Sequence, residues 1–438
     1  MNRSISVLEH EELLITAEPT SAALTETEAE TLSGIAESRP GFCSRRWRRM
    51  RFAQYAGLVN LGNRTLEILP KVDDAEVAAD SCRSILLRLL RLATGLRIAD
   101  TGASEQASCQ MPLLDVFIAS FLDEVANLVR GGLLRRYQPL EEDLLVLRGR
   151  LVVARQFGAN ALRLDRIACR YDELTHDNDW NRVLKAALKL VQRSSRSIAI
   201  RRRWSELWPA FDEVGDVSKP ADVFGHLSPN RQVNRYAPAI RWAKWIIQIL
   251  SPNLRHGAHE APGFLVDTNQ LFERAVANHL RRRIAATHPL LELDSQISGK
   301  FLAHVSTAPH ENMIGLRPDL AISSRGKLEV IADTKWKCLN VTQSRHLEPS
   351  IADVHQMLAY SAAFRCEQLA LIYPWHSGLK DARETTLQLP SVGDVRPQLH
   401  IIVLNVDQEG LPAARGMSAP VIGSALMAAP RSSLTDAG

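Results

Sequence analysis

"GLRPDLAISSRGKLEVIADTKWK", residues 315–337, sets two aspartates and a lysine inside two short apolar stretches. In an extended strand, residues two apart point to one face. Glu329, Ile331, Asp333 and Lys335 therefore share a face, while Leu328, Val330, Ala332 and Trp336 point the other way and are free to be buried. A hairpin that sets Asp319 opposite Asp333 places Gly326 at its tip, within "SRGKL", where a glycine suits the turn. Leu320 and Ile322 then join Val330 and Ala332 on the apolar face. One register satisfies turn, core and charges together.

Carboxylates opposite each other in such a pair lie about 5 Å apart, and when both are ionised they repel unless a cation sits between them. Carboxylate oxygens favour a hard ion, Mg²⁺ with Mn²⁺ as a substitute, that keeps several waters and binds substrate phosphates. Lys335 lies roughly 6–7 Å along the same face, where its ammonium can orient a water or stabilise charge on a phosphate. Taken as spacing alone, PD-x(13)-D-x-K is a weak motif, and the plainer interpretation is a surface hairpin with an exposed Asp333–Lys335 ion pair.

Two neighbours extend the set. Glu273, in "QLFERAV" on a helix expected over 265–286, is a candidate third carboxylate for the metal; the alternative is a solvent-facing glutamate beside an arginine. Gln356 and Tyr360 stand four apart in "DVHQMLAYSAAF", on one face of a helix expected at about 350–364. Gln356 is the candidate to hold the lysine or a phosphate, and Tyr360 reads as a partly buried polar contact. The candidate catalytic residues are thus Asp319, Asp333, Lys335 and Gln356, and the candidate metal ligands Asp319, Asp333 and Glu273.

Outward from this stretch, strand-like segments at 290–297, 368–374 and 399–407 join the two above, and the order implies a mixed sheet flanked by helices. The chain of 438 residues is too long for one typical domain. The expected class is multidomain α+β: an N-terminal β-rich and helical region (1–140), a mostly helical middle region (141–260), the C-terminal mixed-sheet domain (261–410) and a flexible tail (411–438). In the first region "YAGLVNLGNRTLEILPKV" (55–72) predicts a hairpin turning at Gly62-Asn63, and "SCRSILLRLLRLATGL" and "LLDVFIASFLDEVANLVRGG" predict helices, the latter stopped by Gly131-Gly132. In the middle region "LLVLRGRLVVARQF" predicts a strand, Asp177 or Asn178 a helix cap, and 235–250 a further helix.

A net charge of +4 does not by itself argue for a nucleic-acid partner. The distribution says more: "RRWRRMR" (45–51), "RRRW" (201–204) and "RRR" (281–283) concentrate arginine, suited to phosphates, with solvated faces or an acidic protein partner as the alternative. The six cysteines, Cys43, Cys82, Cys109, Cys169, Cys338 and Cys366, show no zinc spacing and read as reduced thiols. The start "MNRSISVLEHEELL" is polar and acidic, unlike a signal peptide, and no apolar run reaches the ~18 residues of a membrane span, so a cytoplasmic protein is expected. No G-x-x-x-x-G-K-[ST] loop is present, so any nucleotide-driven motor belongs to a partner.

With these residues in place, the C-terminal region resembles the PD-(D/E)xK nuclease superfamily: Pro318-Asp319 is the PD element, Asp333-Thr334-Lys335 the D-x-K element, and Glu273 and Gln356 match flanking helical positions. The blocks "QYAGLVNLGNRTLEILPKV", "LRGRLVVARQF", "CRYDELTHDNDWNRVLKAAL", "RPDLAI…ADTKWK" and "DVHQMLAYSAAF" follow the order of the McrC family, over residues 54–375. That resemblance implies the nuclease subunit of a modification-dependent restriction system, Mg²⁺-dependent, acting on double-stranded, modified DNA. It also implies a McrB-like AAA+ GTPase hexameric ring as partner, engaged by the N-terminal half. Arg148, Arg150 and the arginines of 45–51 are candidates for ring or DNA contact. A stand-alone repair nuclease and a non-cleaving activator of an AAA+ ring are the alternatives.

Overall fold

The computed structural model describes residues 4–422 apart from 21, 73–78, 99–110, 196, 229–230, 232, 252–262, 307, 407, 409–410 and 416–421. Contacts gather the chain into two compact units, 1–96 with 106–110 and 265–438, and 97–105 with 111–264. The divisions expected at about 140 and 260 differ: the first 96 residues cluster with the C-terminal sheet, and the helix from residue 113 clusters with the middle of the chain.

The first unit begins with β1 (Ser4–Leu8), β2 (Glu12–Ile15), β3 (Ala23–Leu24), α1 (Glu26–Ser38), β4 (Cys43–Arg46), β5 (Arg49–Phe52), β6 (Tyr55–Asn60), β7 (Thr65–Leu69) and α2 (Ala79–Thr94). The predicted hairpin forms, β6 against β7, with Gly62 at φ 92° in its turn and its N–H held by the Asn60 side chain at 2.8 Å. β7 also pairs in parallel with β1. Helix α1 was not expected from the polar run "TETEAETLSG". Its signal is a capping box, in which Thr25 Oγ1 accepts from Glu28 N and Glu28 accepts from Thr25 N.

The second unit contains α3 (Leu113–Arg130), β8 (Arg136–Leu144), β9 (Arg150–Leu151), β10 (Ile167–Thr175), α4 (Asp179–Ser194), α5 (Ile198–Leu207) and α6 (Ala237–Leu250). Helix α3 is capped at Gly131, as predicted. Asn178 caps α4, whose apolar residues Val183, Leu184, Ala187, Leu188 and Val191 are buried, while Asp177 binds Arg182 and the Gly215 N–H instead. The mostly helical expectation misses a three-stranded antiparallel sheet, β8-β10-β9. The long strand expected over "LLVLRGRLVV" shrinks to Arg150–Leu151, because Gly149 turns the chain at φ 71° directly against the Arg170 carbonyl. Arg202 and Arg203 of the "RRRW" run pair with Glu206 and Asp123, the solvated-face alternative.

Beyond residue 262 come β11 (Gly263–Asp267), α7 (Thr268–Thr287), β12 (Leu291–Ser295), β13 (Lys300–Val305), β14 (Ala308–Leu316), β15 (Leu320–Ser324), β16 (Lys327–Thr334), β17 (Asn340–Val341), β18 (Leu347–Glu348), α8 (Ile351–Phe364), β19 (Gln368–Pro374), β20 (Thr385–Gln388), β21 (Gln398–Leu404) and β22 (Ala413–Arg415). A mixed sheet runs β12-β15-β16-β19-β21-β20, with β22 against β21. β15 and β16 are antiparallel, whereas β16, β19 and β21 are mutually parallel. Parallel neighbours need a crossover, and α8 supplies it between β16 and β19.

Leu320 lies opposite Ala332, the register expected at the charged end of the hairpin. A bulge at Ile322/Ser323 tightens the far end, so Arg325 and Gly326, at φ 51° and 78°, form a two-residue turn. Both central residues at positive φ are what a type I′ hairpin requires. The expectation of one apolar and one charged face fails: Val330, Ile331, Ala332 and Asp333 are all buried. Helices cover both sides of this central strand, and Ile331 shares a core with Met357, Tyr360, Leu371 and Tyr373.

In the expected flexible tail, Ala413–Arg415 pairs with β21, while 416–421 and 423–438 lie outside the described residues, as does Cys109. Among the described residues no helix is long and apolar enough to cross a membrane.

Candidate active site

The end of β16 brings the charges together. Asp333 is buried and receives the Lys335 ammonium at 2.6 Å. The Lys335 backbone is fixed by its N–H to the Ile372 carbonyl, 2.8 Å, which continues the parallel ladder past the strand end. Lys335 Nζ also donates to Gln356 Oε1 at 2.8 Å, and Gln356 Nε2 lies 3.3 Å from Asp333 Oδ1. The amide thus accepts from the lysine and donates to the aspartate. Gln356 Nε2 further donates to Tyr360 Oη at 2.7 Å, and that hydroxyl donates to the Arg317 carbonyl at 3.2 Å. The i,i+4 face of α8 therefore meets the strand end as the spacing predicts, and Tyr360 is buried rather than partly exposed.

Asp319 follows the buried Pro318 and is half-buried. Its Oδ2 accepts both the N–H and the hydroxyl of Thr334, each at 2.8 Å, which locks the PD element onto the D-x-K element. Among the described residues nothing donates to its Oδ1. Burial pushes the Asp333 carboxyl up to about 6, and the Asp319 charge pushes the same way against the pull of Lys335. Glu273 is also raised, by burial and then by Asp319. The Asp319 charge therefore acts on both of the other candidate ligands.

Glu273 is held otherwise than expected, accepting from Gln296 Nε2 at 2.7 Å, while Gln296 Oε1 accepts from Arg317. Gln296 sits at φ 54° just past β12, and its N–H donates to the Asp319 carbonyl at 2.8 Å. Sequence reasoning missed Gln296, and no periodic signal marks it. It also missed Asp353, which accepts from Lys337 at 2.6 Å and from Tyr373 Oη at 2.8 Å and lies 4.0 Å from Lys335. Burial raises that carboxyl, but the hydrogen bonds from Lys337, Ser350 and Tyr373 outweigh it and hold it low. The signal was available: Asp353 is three residues before Gln356 on the same helix.

Two carboxyls raised by burial and by the Asp319 charge, together with the Asp319 Oδ1 that accepts nothing among the described residues, fit a hard divalent cation. Among the described residues no three acidic, histidine or cysteine side chains close around a metal position, and an ion held here would keep several waters.

Residues 50–374, which include all five candidates, match the family model for the McrBC 5-methylcytosine restriction system component. The chain belongs to that family. This McrBC-family chain also has a fold similar to that of a chain in the "Refined half-complex from tetradecameric assembly of Thermococcus gammatolerans McrB AAA+ hexamers with bound McrC". That match has a TM-score of 0.70 and 20% identity, over 92% of this chain and 95% of that one. A chain of the Thermococcus gammatolerans McrBC complex matches with a TM-score of 0.49 and 22% identity, covering 64% and 88%. No curated protein matches.

Proposed function

We propose that this chain is the Mg²⁺-dependent DNA endonuclease subunit of a McrBC-type restriction complex, with a PD-(D/E)xK nuclease fold around β15, β16 and α8. The observation that carries the proposal is the Asp319–Thr334 and Asp333–Lys335–Gln356 network at one end of a buried central strand. Asp319 and Asp333, with Glu273 beside them, would hold the metal, which supplies an activated water and neutralises charge on the scissile phosphate. Lys335, gripped by Asp333 and Gln356, stabilises charge on that phosphate. Held at 2.6 Å by Asp333 and at 2.8 Å by Gln356, it is assigned a positioning and charge-stabilising role rather than that of a base. Gln356 sets the direction of the lysine.

The partner in this reading is an AAA+ McrB ring, supported by family membership and by the likeness to a chain from an assembly of McrB hexamers with bound McrC. Exposed Leu145, Val146, Phe157, Leu162 and Leu164 of the second unit are the kind of apolar surface that a partner covers.

Cleavage of methylated and unmethylated plasmid in Mg²⁺, by wild type and Asp333→Ala, with and without the cognate GTPase and GTP, tests this. Cutting that needs partner, GTP and Asp333 supports it. Cutting by the chain alone favours an independent nuclease. Equal stimulation of GTP hydrolysis by both proteins with no cutting makes the chain an activator only.

A further inference from the structure

The "RRWRRMR" run folds into the β4–β5 hairpin, with Arg46 opposite Arg49 and only Trp47-Arg48 in the turn. Directly opposed residues in antiparallel strands share a face. Ser44 opposite Arg51 and Arg46 opposite Arg49 therefore lie on one side, together with Glu12 and Leu14, which pair with Arg51 and Arg49 from β2. Met50, Phe52 and Leu13 point the other way and are buried. The open side thus carries Arg46, Arg49 and Arg51 against one carboxylate, Glu12, which pairs with Arg49 at 3.1 Å and reaches Arg46 at 4.0 Å. At the tip, Trp47 is 90% exposed, and the Arg48 guanidinium is its ring partner at 5.7 Å. Arg45, on the opposite side, is taken by Glu26.

One carboxylate, Glu12, thus serves two of the three arginines on this side, which leaves the surface with a net positive charge, and a nearly fully exposed tryptophan stands at its tip. Arginine with an aromatic is the side-chain pair that grips phosphates while stacking on sugar or base. The hairpin is also tied to the candidate site. Two residues past β5, the Gln54 carbonyl accepts the Thr268 N–H at 3.1 Å, and Thr268 opens α7, the helix that carries Glu273.

We propose that the β4–β5 hairpin is a DNA contact, in which Arg46, Arg48 and Arg51 pair with backbone phosphates and Trp47 packs against a sugar or an unstacked base. The inference rests on the nuclease reading and adds a substrate surface to it. An acidic patch of a protein partner is the competing occupant.

The test is fluorescence anisotropy of the full-length chain with a 30-base-pair duplex and with its single strand, without divalent metal, over a series of salt concentrations. Each phosphate contact contributes about 0.9 to the slope of log affinity against log salt. The triple variant R46Q/R48Q/R51Q lowers that slope by about 2.7 on the duplex. Trp47→Ala weakens binding roughly tenfold or more at every salt and leaves the slope unchanged. Wild-type slope and affinity in both variants overturn the proposal. So does unchanged DNA binding with lost stimulation of the GTPase, which assigns the hairpin to the partner. Wild type that binds neither probe also overturns it, whereas the Asp333→Ala plasmid assay judges the nuclease reading separately.

Discussion

Glu9→Gln is expected to change how stability depends on pH. Glu9 follows β1 and is completely buried. Its carboxylate accepts from Trp336 Nε1 and the Lys71 N–H, each at 3.0 Å, and from the Thr268 hydroxyl. Burial pushes its carboxyl up to about 7, against the lowering effect of those three hydrogen bonds. A carboxyl that holds its proton more tightly folded than unfolded loses stability as pH rises from its unfolded value of 4.5 to about 7, and nothing further above. Between pH 5 and pH 8 that linkage amounts to about 2.5 kcal/mol. Glutamine never ionises, and whatever its amide costs in hydrogen bonds is the same at both pH values. The raised Asp333 and the histidines are common to both proteins and cancel. Scanning calorimetry of the two proteins should therefore show Glu9→Gln gaining on wild type by about 3 °C between pH 5 and pH 8. Parallel Tm profiles would refute the argument and show that Glu9 stays ionised in the fold.

Other perturbations follow from the same geometry. Lys335→Met removes the cation 2.6 Å from Asp333, so the Asp333 carboxyl rises above about 6 and, on the proposed function, cleavage falls at least ~100-fold, with the acid limb of its pH profile moved upward. Arg83→Ala removes the guanidinium paired at 2.8 Å to the fully buried Glu67 and lowers stability by about 3–5 kcal/mol in calorimetry. Gly149→Ala forces a Cβ to 2.4 Å from the Arg170 carbonyl at φ 71°; it should destabilise the second unit by about 1–3 kcal/mol, read as faster proteolysis between β8 and β10 while the first unit keeps its Tm.

Period-two patterning made the β15–β16 hairpin legible, because turn, core and charge all chose one register. The same pattern could not show that the charged face is covered. A central strand is buried on both sides, and Asp333 and Ile331 look inward onto α8 just as Val330 and Ala332 look the other way. The i,i+4 spacing of Gln356 and Tyr360 was readable because one helix carries both. Gln296, on another element, leaves no periodic trace. Glu9 illustrates the limit more sharply: it lies over three hundred residues from Trp336, the residue next to Lys335, and nothing in "LEHEELL" distinguishes it from Glu11 or Glu12. Yet one carboxylate joins the end of β1, the first turn of α7 and the exit of β16, the two elements that carry Glu273 and Lys335. The charges at the strand end are thus held in two ways. Asp333, Lys335 and Gln356 satisfy one another locally, and that grip is written in spacing. The frame that sets Glu273 against them is closed from the N-terminal segment, through contacts that only folding brings together.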